Sequence, residues 1–328
     1  MQKSLLLALC LILTFSIASA QTFQVNGNAY QYGSSCYRLT DQVNNQSGSI
    51  WYLNLIDLSQ SFAVKFDIFL GWFDSNGADG IYFGLQPIST AVGGSGGGIG
   101  FAGISPSIGV EFDTYENGGN ADPWFDHVSI MRNGNLAHNN SNNLAGPVQI
   151  SPTSTNVEDG AWHKVDIIWD ANTYNFEVRF DCVTRATYNG DIVSNTFGGN
   201  PMVYLGFTAG TGSLNNIQDV CFTYVTFEDE MADTSVCPGN SIVLSAPPNF
   251  TSYSWSPSSS LSSGTAQSPF AFPTVTTTYV VTMTDDCGNQ FTDDVLVTVD
   301  EPTATITGLS SNYCQGASPV TLTGTPSG

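Results

Sequence analysis

The segment VEFDTYENGGNADPWFDH, Val110 to His127, gathers six potential metal donors within 18 residues. If it begins as a strand, alternate residues share a face. Glu111, Asp113 and Tyr115 then point one way, and Val110, Phe112 and Thr114 the other. Two carboxylates side by side repel, and a strand that buries its other face tolerates them best with a cation between them. Asn117, Asp122 and His127 follow on a loop. Calcium prefers several oxygen ligands from carboxylates, amides and carbonyls. An imidazole nitrogen suits a transition ion such as manganese better. Five oxygen-bearing residues and one histidine therefore suggest two adjacent ions, Ca2+ and Mn2+ or another transition ion, sharing a carboxylate. A solvated acidic loop would explain any one of these residues, but not all six in this order.

The elements that must position these donors are strands. Helix signals are nearly absent after the first 20 residues. FAVKFDIFLG, IGVEFDTY, WHKVDIIWD, YNFEVRFDC, VYLGFTA and VCFTYVTFE alternate in strand fashion, separated by turn-rich stretches such as DSNGADG, DANT and GTGSLNN. Short strands at this spacing predict an all-β sandwich, and residues 21–230 are enough to bury a substantial core. A second unit is expected over 231–301. There Cys237 and Cys287 lie 50 residues apart with Trp255 between them, which fits a small Ig-like β-sandwich pinned by one disulfide. YSWSP and PTVTTTYVVTMTD resemble Ig-like or PKD-like repeats of large secreted bacterial proteins. CQGASPVTLTG at Cys314 echoes CPGNSIVLSAP at Cys237, so 302–328 reads as the start of a further repeat that is cut short.

The chain opens with Lys3, an apolar run from Leu5 to Ile17, and Ala18-Ser19-Ala20. This is the pattern of a secretory signal over residues 1–20. The run is too short to span a membrane, and no later run of about 18 apolar residues follows. Without that leader the chain has 6 basic against 28 acidic residues, a formal charge of −22, and none of the basic residues lies beyond Arg185. Such a surface repels phosphate backbones, which excludes a nucleic-acid role. Export puts the six remaining cysteines in an oxidising compartment. Cys237 is expected to pair with Cys287, and Cys182 with Cys221, which leaves Cys36 and Cys314 over.

The order Glu111, Asp113, Tyr115, Asn117, Asp122-Pro123 and His127 resembles the L-type lectins, the family of legume and related animal and bacterial lectins, over roughly residues 21–230. The resemblance implies a concanavalin-like jelly-roll sandwich that binds glycans. It implies that Glu111 and His127 bind the transition ion and that Asp113 and Asp122 bridge both ions. Asn117 and the Tyr115 carbonyl would bind calcium. GADGIYFGL resembles the family strand whose aspartate, here Asp79, follows a non-proline cis peptide and accepts hydrogen bonds from sugar hydroxyls. GGSGGGIGF resembles the glycine loop whose backbone amide touches the sugar; spacing favours Gly97, with Gly98 the alternative. Ser213 and Leu214 in GFTAGTGSLNNIQDV occupy the variable specificity loop. Asn117 would join Asp79 on the sugar, and the Tyr115 ring would pack on its apolar face. Trp124 and Phe125 could add subsites.

Two other readings compete. EFDTYE holds Glu111, Asp113 and Glu116 in an E-x-D-x-x-E pattern that a glycoside hydrolase on the same sandwich could use if the strand were bulged. A structural adhesion module with a degenerate site would also suit a stalk of repeats.

Overall fold

The structure is a computed structural model that describes residues 23–91, 93, 98–227, 231–300, 303–307 and 323–327. The leader-like residues 1–20, Gly97 and Cys314 lie outside the described residues. The chain divides into two units, Met1–Val225 and Thr226–Gly328.

The first unit begins with β1 (Phe23–Gly27), β2 (Tyr30–Gln31), β3 (Cys36–Thr40), β4 (Ser47–Tyr52) and β5 (Ile56–Asp57). Next come β6 (Phe62–Phe69), β7 (Gly80–Gln86), β8 (Ile108–Asp113), β9 (His127–Arg132) and β10 (Asn143–Gln149). It ends with β11 (Trp162–Asp170), β12 (Asn175–Phe180), β13 (Val183–Asn189), β14 (Met202–Gly210) and β15 (Gln218–Val225). One sheet has the order β1-β4-β14-β7-β8-β9-β10, with β5 paired to β14; the other runs β13-β12-β11-β6-β15-β3-β2. The ladders of both sheets are antiparallel. The first unit is thus the all-β sandwich expected, with a single short α-helix at Ile192–Phe197 among the described residues.

The core lies between the sheets and is built of aromatic rings. Phe207 on β14 packs edge-on against Phe66 on β6, with centroids 4.7 Å apart, and also meets Phe83 and Phe222. Phe66 reaches Phe112 on β8 at 6.4 Å. Because side chains alternate along a strand, Phe112 facing the core sends Glu111 and Asp113 to the opposite face of the sheet. That face is not open. Tyr82, the cross-strand partner of Glu111, stacks on Phe101 with centroids 3.9 Å apart. Trp51, Ile99, Phe101, Ile104, Met131 and Leu136 close over it as a second apolar layer.

The disulfides differ from expectation. Cys36 bonds to Cys221, with Cα atoms 4.0 Å apart, because β3 pairs with β15 and the two cysteines are directly opposite in that ladder. Cys182 cannot take Cys221 as partner. It sits in the turn between β12 and β13, at the far end of the same sheet from β15 and β3.

The second unit contains a four-stranded sheet. Its strands are β16 (Thr234–Val236), β18 (Ser252–Ser256), β20 (Thr277–Thr284) and β21 (Gln290–Val299), in the order β16-β21-β20-β18. Two short strands, β17 (Ile242–Val243) and β19 (Phe270–Ala271), pair with each other. Trp255 is buried and donates its indole N–H to the Ala266 carbonyl at 2.8 Å. The expected Cys237–Cys287 bridge does not form. Val236 pairs with Val299 at the end of β21, whereas Cys287 precedes the start of that strand. A ten-residue strand spans roughly 33 Å, far beyond disulfide reach. Finally, β22 (Thr303–Thr307) pairs with β23 (Thr323–Ser327).

Phe207 is fully buried and touches rings from both sheets. Phe207→Ala should cost the first unit about 3–5 kcal/mol by lost burial and cavity formation. Urea denaturation measures this, and a loss below about 1 kcal/mol would contradict the packing described.

Candidate functional site

The donors of the Val110–His127 segment converge. Asp113 ends β8 and is opposite Gly80 on β7 and His127 on β9; Glu111 is opposite Tyr82 and Ser129. The close approach at Gly80 requires glycine: its φ is +131°, and a Cβ there would fall 2.1 Å from the Phe112 carbonyl oxygen. Past β8, the Tyr115 N–H donates to Asp113 Oδ1 at 2.8 Å, and the Asn117 N–H to Asp122 Oδ2 at 2.7 Å. A 3₁₀ turn at Gly118–Asn120 folds the loop back. One carboxylate, nitrogen or amide after another is thereby turned toward one small volume.

The electrostatics of this volume are one-sided. Glu111 Oε1 and Oε2, Asn117 Oδ1, Asp122 Oδ1 and Asp79 Oδ2 are all buried without a hydrogen-bond donor. Every one is an acceptor, and among the described residues no Lys or Arg pairs with them. Burial, then the charges of Asp113 and Asp122, push Glu111 well above the usual carboxylate range. Burial likewise raises Asp113 well above its usual value, with Asp122 and Asp79 adding to it. His127 is lowered to about 4 by burial and by His138, so its ring is neutral at pH 7. Buried carboxylates without donors next to a neutral imidazole are what a cation site requires. The residues present therefore fit the divalent ions expected.

Asp79 stands beside this cluster. The Ala78–Asp79 peptide bond is cis. The Asp79 N–H donates to the Gly210 carbonyl at 3.1 Å, and its carbonyl accepts from the Thr114 N–H at 3.1 Å. Gln218, from the other sheet, donates to the Ala78 and Gly210 carbonyls at 3.2 and 3.1 Å. Burial raises the Asp79 carboxyl to about 6. The loop after β14 approaches it closely: a Cβ on Gly212 would lie 3.8 Å from Asp79 Oδ2. On that loop Ser213 is exposed and Leu214 half-buried. Tyr115 and Trp124 are exposed, Trp124 at 72%. Gly97 lies outside the described residues, and Gly98, just inside them, is half-buried.

The arrangement does not serve the hydrolase reading. β8 pairs with both neighbours without a register shift. Glu116 lies beyond its end and is exposed, apart from the buried Glu111 and Asp113.

The sequence reading missed three contributors. His138, on the loop between β9 and β10, brings its Nε2 to 3.2 Å from Glu111 Oε1 and 2.8 Å from His127 Nε2. It is one of only three histidines in the chain and follows His127 by 11 residues across a hairpin; that spacing was the available signal. Gln218 carried no signal. The third contributor is a second acidic pair, Asp126 and Glu158, both buried. Asp126 Oδ2 accepts from the Val157 N–H at 2.7 Å, and Glu158 Oε1 from Asn216 Nδ2 at 2.7 Å.

Comparison with known proteins gives this geometry a context. The family description Legume lectin beta-barrel domain, an L-type lectin domain, matches residues 16–224. The chain belongs to this family. Its first unit has the carbohydrate-binding fold of the legume-type lectins. A galactose-binding lectin of Arachis hypogaea is 28% identical over 223 residues, covering 56% of this chain and 76% of that protein. The pesticidal crystal protein Cry22Aa of Bacillus thuringiensis is 41% identical over 97 residues, covering 29% of this chain and only 13% of that protein. Among solved structures, lectin II from Ulex europaeus superposes with a TM-score of 0.50 at 24% identity, over 62% of this chain and 92% of its own. The Bauhinia forficata lectin in complex with GalNAc gives 0.51 at 17% identity, over 63% and 92%. Such identities speak for the fold alone.

Glu158 supplies a test that does not need a ligand. Burial, then the Asp126 charge, push its carboxyl to about 9 from an ordinary 4.5. Between those values the unfolded chain gives up the proton and the folded chain keeps it, so stability falls as pH rises through that window. Asp126, raised to about 7 from 3.8, adds a similar decline at lower pH. Glu158→Gln keeps a neutral side chain of the same shape. It should match the parent near pH 4 and exceed it at pH 8, the gap growing by up to about 1.4 kcal/mol per pH unit. Denaturation across pH in the presence of a chelator measures this; parallel curves for the two proteins would contradict it.

Proposed function

We propose that this chain is a secreted, metal-dependent glycan-binding protein of the lectin or adhesin type. The observation that carries this reading is the set of buried acceptor oxygens without donors on Glu111, Asn117, Asp122 and Asp79. Glu111 and His127 would hold the transition ion. Asp113 and Asp122 would bridge it to calcium, and Asn117 with the Tyr115 carbonyl would complete the calcium shell. When bound, the ions supply the positive charge that these carboxylates lack and fix the Asn117 side chain.

Recognition would then fall to this chain's own groups. Asp79 and Asn117 would hydrogen-bond adjacent sugar hydroxyls, the Gly97 amide would add a donor, and Tyr115 would cover the apolar sugar face. Ser213 and Leu214 would tune which sugar fits. Asp79 suits this task because its main chain is tied down on both sides while Oδ2 is without a donor. The aromatic rings of Tyr115 and Trp124 are exposed to solvent, as a stacking surface must be.

We read residues 1–20 as the export signal and 21–230 as the binding head. An Ig-like repeat over 231–301 and the repeat-like sequence over 302–328 would display that head. The Cys36–Cys221 disulfide suits an oxidising compartment.

A glycan array probed with calcium and manganese, and again after chelation, tests the reading. Binding should be present with the ions and lost without them. No binding in either condition would sink the glycan-binding function, and binding indifferent to chelation would sink the metal dependence. Asp79→Ala should weaken any glycan found by at least about 10-fold, since a hydrogen bond to a charged group is worth about 1.5–3 kcal/mol. Glu116→Gln should leave binding unchanged, and the parent should show no hydrolysis of the bound glycan.

A further inference from the structure

The cluster of possible metal-ligating groups around Glu111 is richer in nitrogen than the Val110–His127 segment alone supplies. His138 approaches it from the β9–β10 loop with its side chain only 4% exposed. Its Nε2 lies 2.8 Å from His127 Nε2, 3.2 Å from Glu111 Oε1 and 3.4 Å from Asp122 Oδ1. The two rings meet at 77°. Ligands held at about 2.0–2.2 Å from one zinc-like ion stand roughly 2.8–3.6 Å from one another. The three distances from His138 Nε2 have that spacing before any ion is considered, and His127 Nε2 lies slightly outside it, 3.8 Å from Glu111 Oε1. Glu111 is completely buried, and Glu111 Oε1 and Asp122 Oδ1 have no hydrogen-bond donor.

The ring is also held in place. The His138 N–H donates to the Asn120 carbonyl at 2.8 Å, which ties it to the 3₁₀ turn of the metal loop. Its carbonyl accepts from Asn143 Nδ2 at 3.2 Å, on the first residue of β10. Two residues earlier, Leu136 is anchored in the apolar layer with Tyr82 and Phe101. At the far side of the ring, Nδ1 lies 3.5 Å from Ser129 Oγ, so Nε2 is the atom turned to the cluster. A ligating imidazole usually has its second nitrogen beside a polar group of this kind.

We propose that His138 is a second imidazole ligand of the transition-ion position, and that this position selects a late first-row divalent ion of the zinc class over manganese. The inference rests on the metal-site reading above. Its chemistry follows from the donor set. Carboxylates suit manganese, whereas each added imidazole favours the metals later in the Irving–Williams order, and zinc binds N and O donors with ease. With His127 alone the position is mostly oxygen; with His138 it has two nitrogens among Glu111, Asp122 and Asp113.

The test is calorimetric titration of the chelator-stripped chain with Zn2+ and, separately, Mn2+, for the parent and for His138→Ala. The parent should bind Zn2+ more tightly than Mn2+. His138→Ala should weaken Zn2+ by about 10–100-fold, the range that loss of even an outer partner produces, and weaken Mn2+ far less, so that the preference collapses. Unchanged Zn2+ affinity and preference in the variant would overturn the inference while leaving a metal site standing. A parent that binds neither ion would overturn the metal-site reading itself. Pulsed electron paramagnetic resonance on the Cu2+-loaded parent needs no variant: two coordinated imidazoles are expected, and a single one would overturn the assignment of His138.

Discussion

Two carboxylates on one face of one buried strand set the terms for everything around them. Glu111 and Asp113 are two residues apart on β8, and both are nearly solvent-free. Asp122 joins them from the loop. Burying an isolated ionised carboxylate is very costly, and in practice it neutralises or finds a counter-charge. Among the described residues no Lys or Arg reaches the three groups. The protein surrounds them instead with acceptors: the Asn117 amide oxygen and the Asp79 carboxylate without donors, and the His127 ring in its neutral form. A fold that gathers acceptors around buried acids is incomplete in charge, and under the function proposed a divalent ion would complete it.

The reason the strand withstands this is on its other face. Val110 and Phe112 are fully buried, and Phe112 joins the aromatic ladder of Phe66, Phe207, Phe83 and Phe222 between the sheets. The second apolar layer over Tyr82 holds the remaining side. β8 is therefore fixed by hydrophobic packing that does not depend on the state of its carboxylates. Asp79 is fixed similarly. Its N–H and C=O are bonded to β14 and to Thr114, and Gln218 crosses from the opposite sheet to the Ala78 carbonyl. Asp79 therefore has main-chain supports that do not depend on an ion.

How much of this could be read from the chain follows from where each residue sits in sequence. The segment from Glu111 to His127 was legible because one strand, the loop after it and the first residue of the next strand bear all six donors within one short stretch. The sandwich was legible because alternation is a local property of each strand. His138 was not, since a loop after the next strand delivers it and only the hairpin between β9 and β10 makes it a neighbour of Glu111. The disulfide was misread for the same physical reason. Cys36 and Cys221 are separated by 185 residues, and they meet because an early strand returns to pair with the last strand of the unit. Cys237 and Cys287 were read by analogy of spacing, but the parallel pairing of β16 with β21 sends them to opposite ends of one strand.

Stability and recognition are consequently joined in one place. In the metal-free chain the raised carboxyls of Glu111 and Asp113 oppose the packing that holds β8. A cation that binds only the folded arrangement adds its binding free energy to that of folding. The same ion would relieve the repulsion and order Asn117, and Asn117 is separated by only a loop from the exposed ring of Trp124. A surface that contacts a ligand through exposed rings and one buried acid needs those groups held still, because each loose side chain adds an entropic cost to binding. Under the function proposed, burying the acids creates the demand for an ion and the ion would supply the rigidity, so the charge deficit at β8 would be a means of ordering the surface around it.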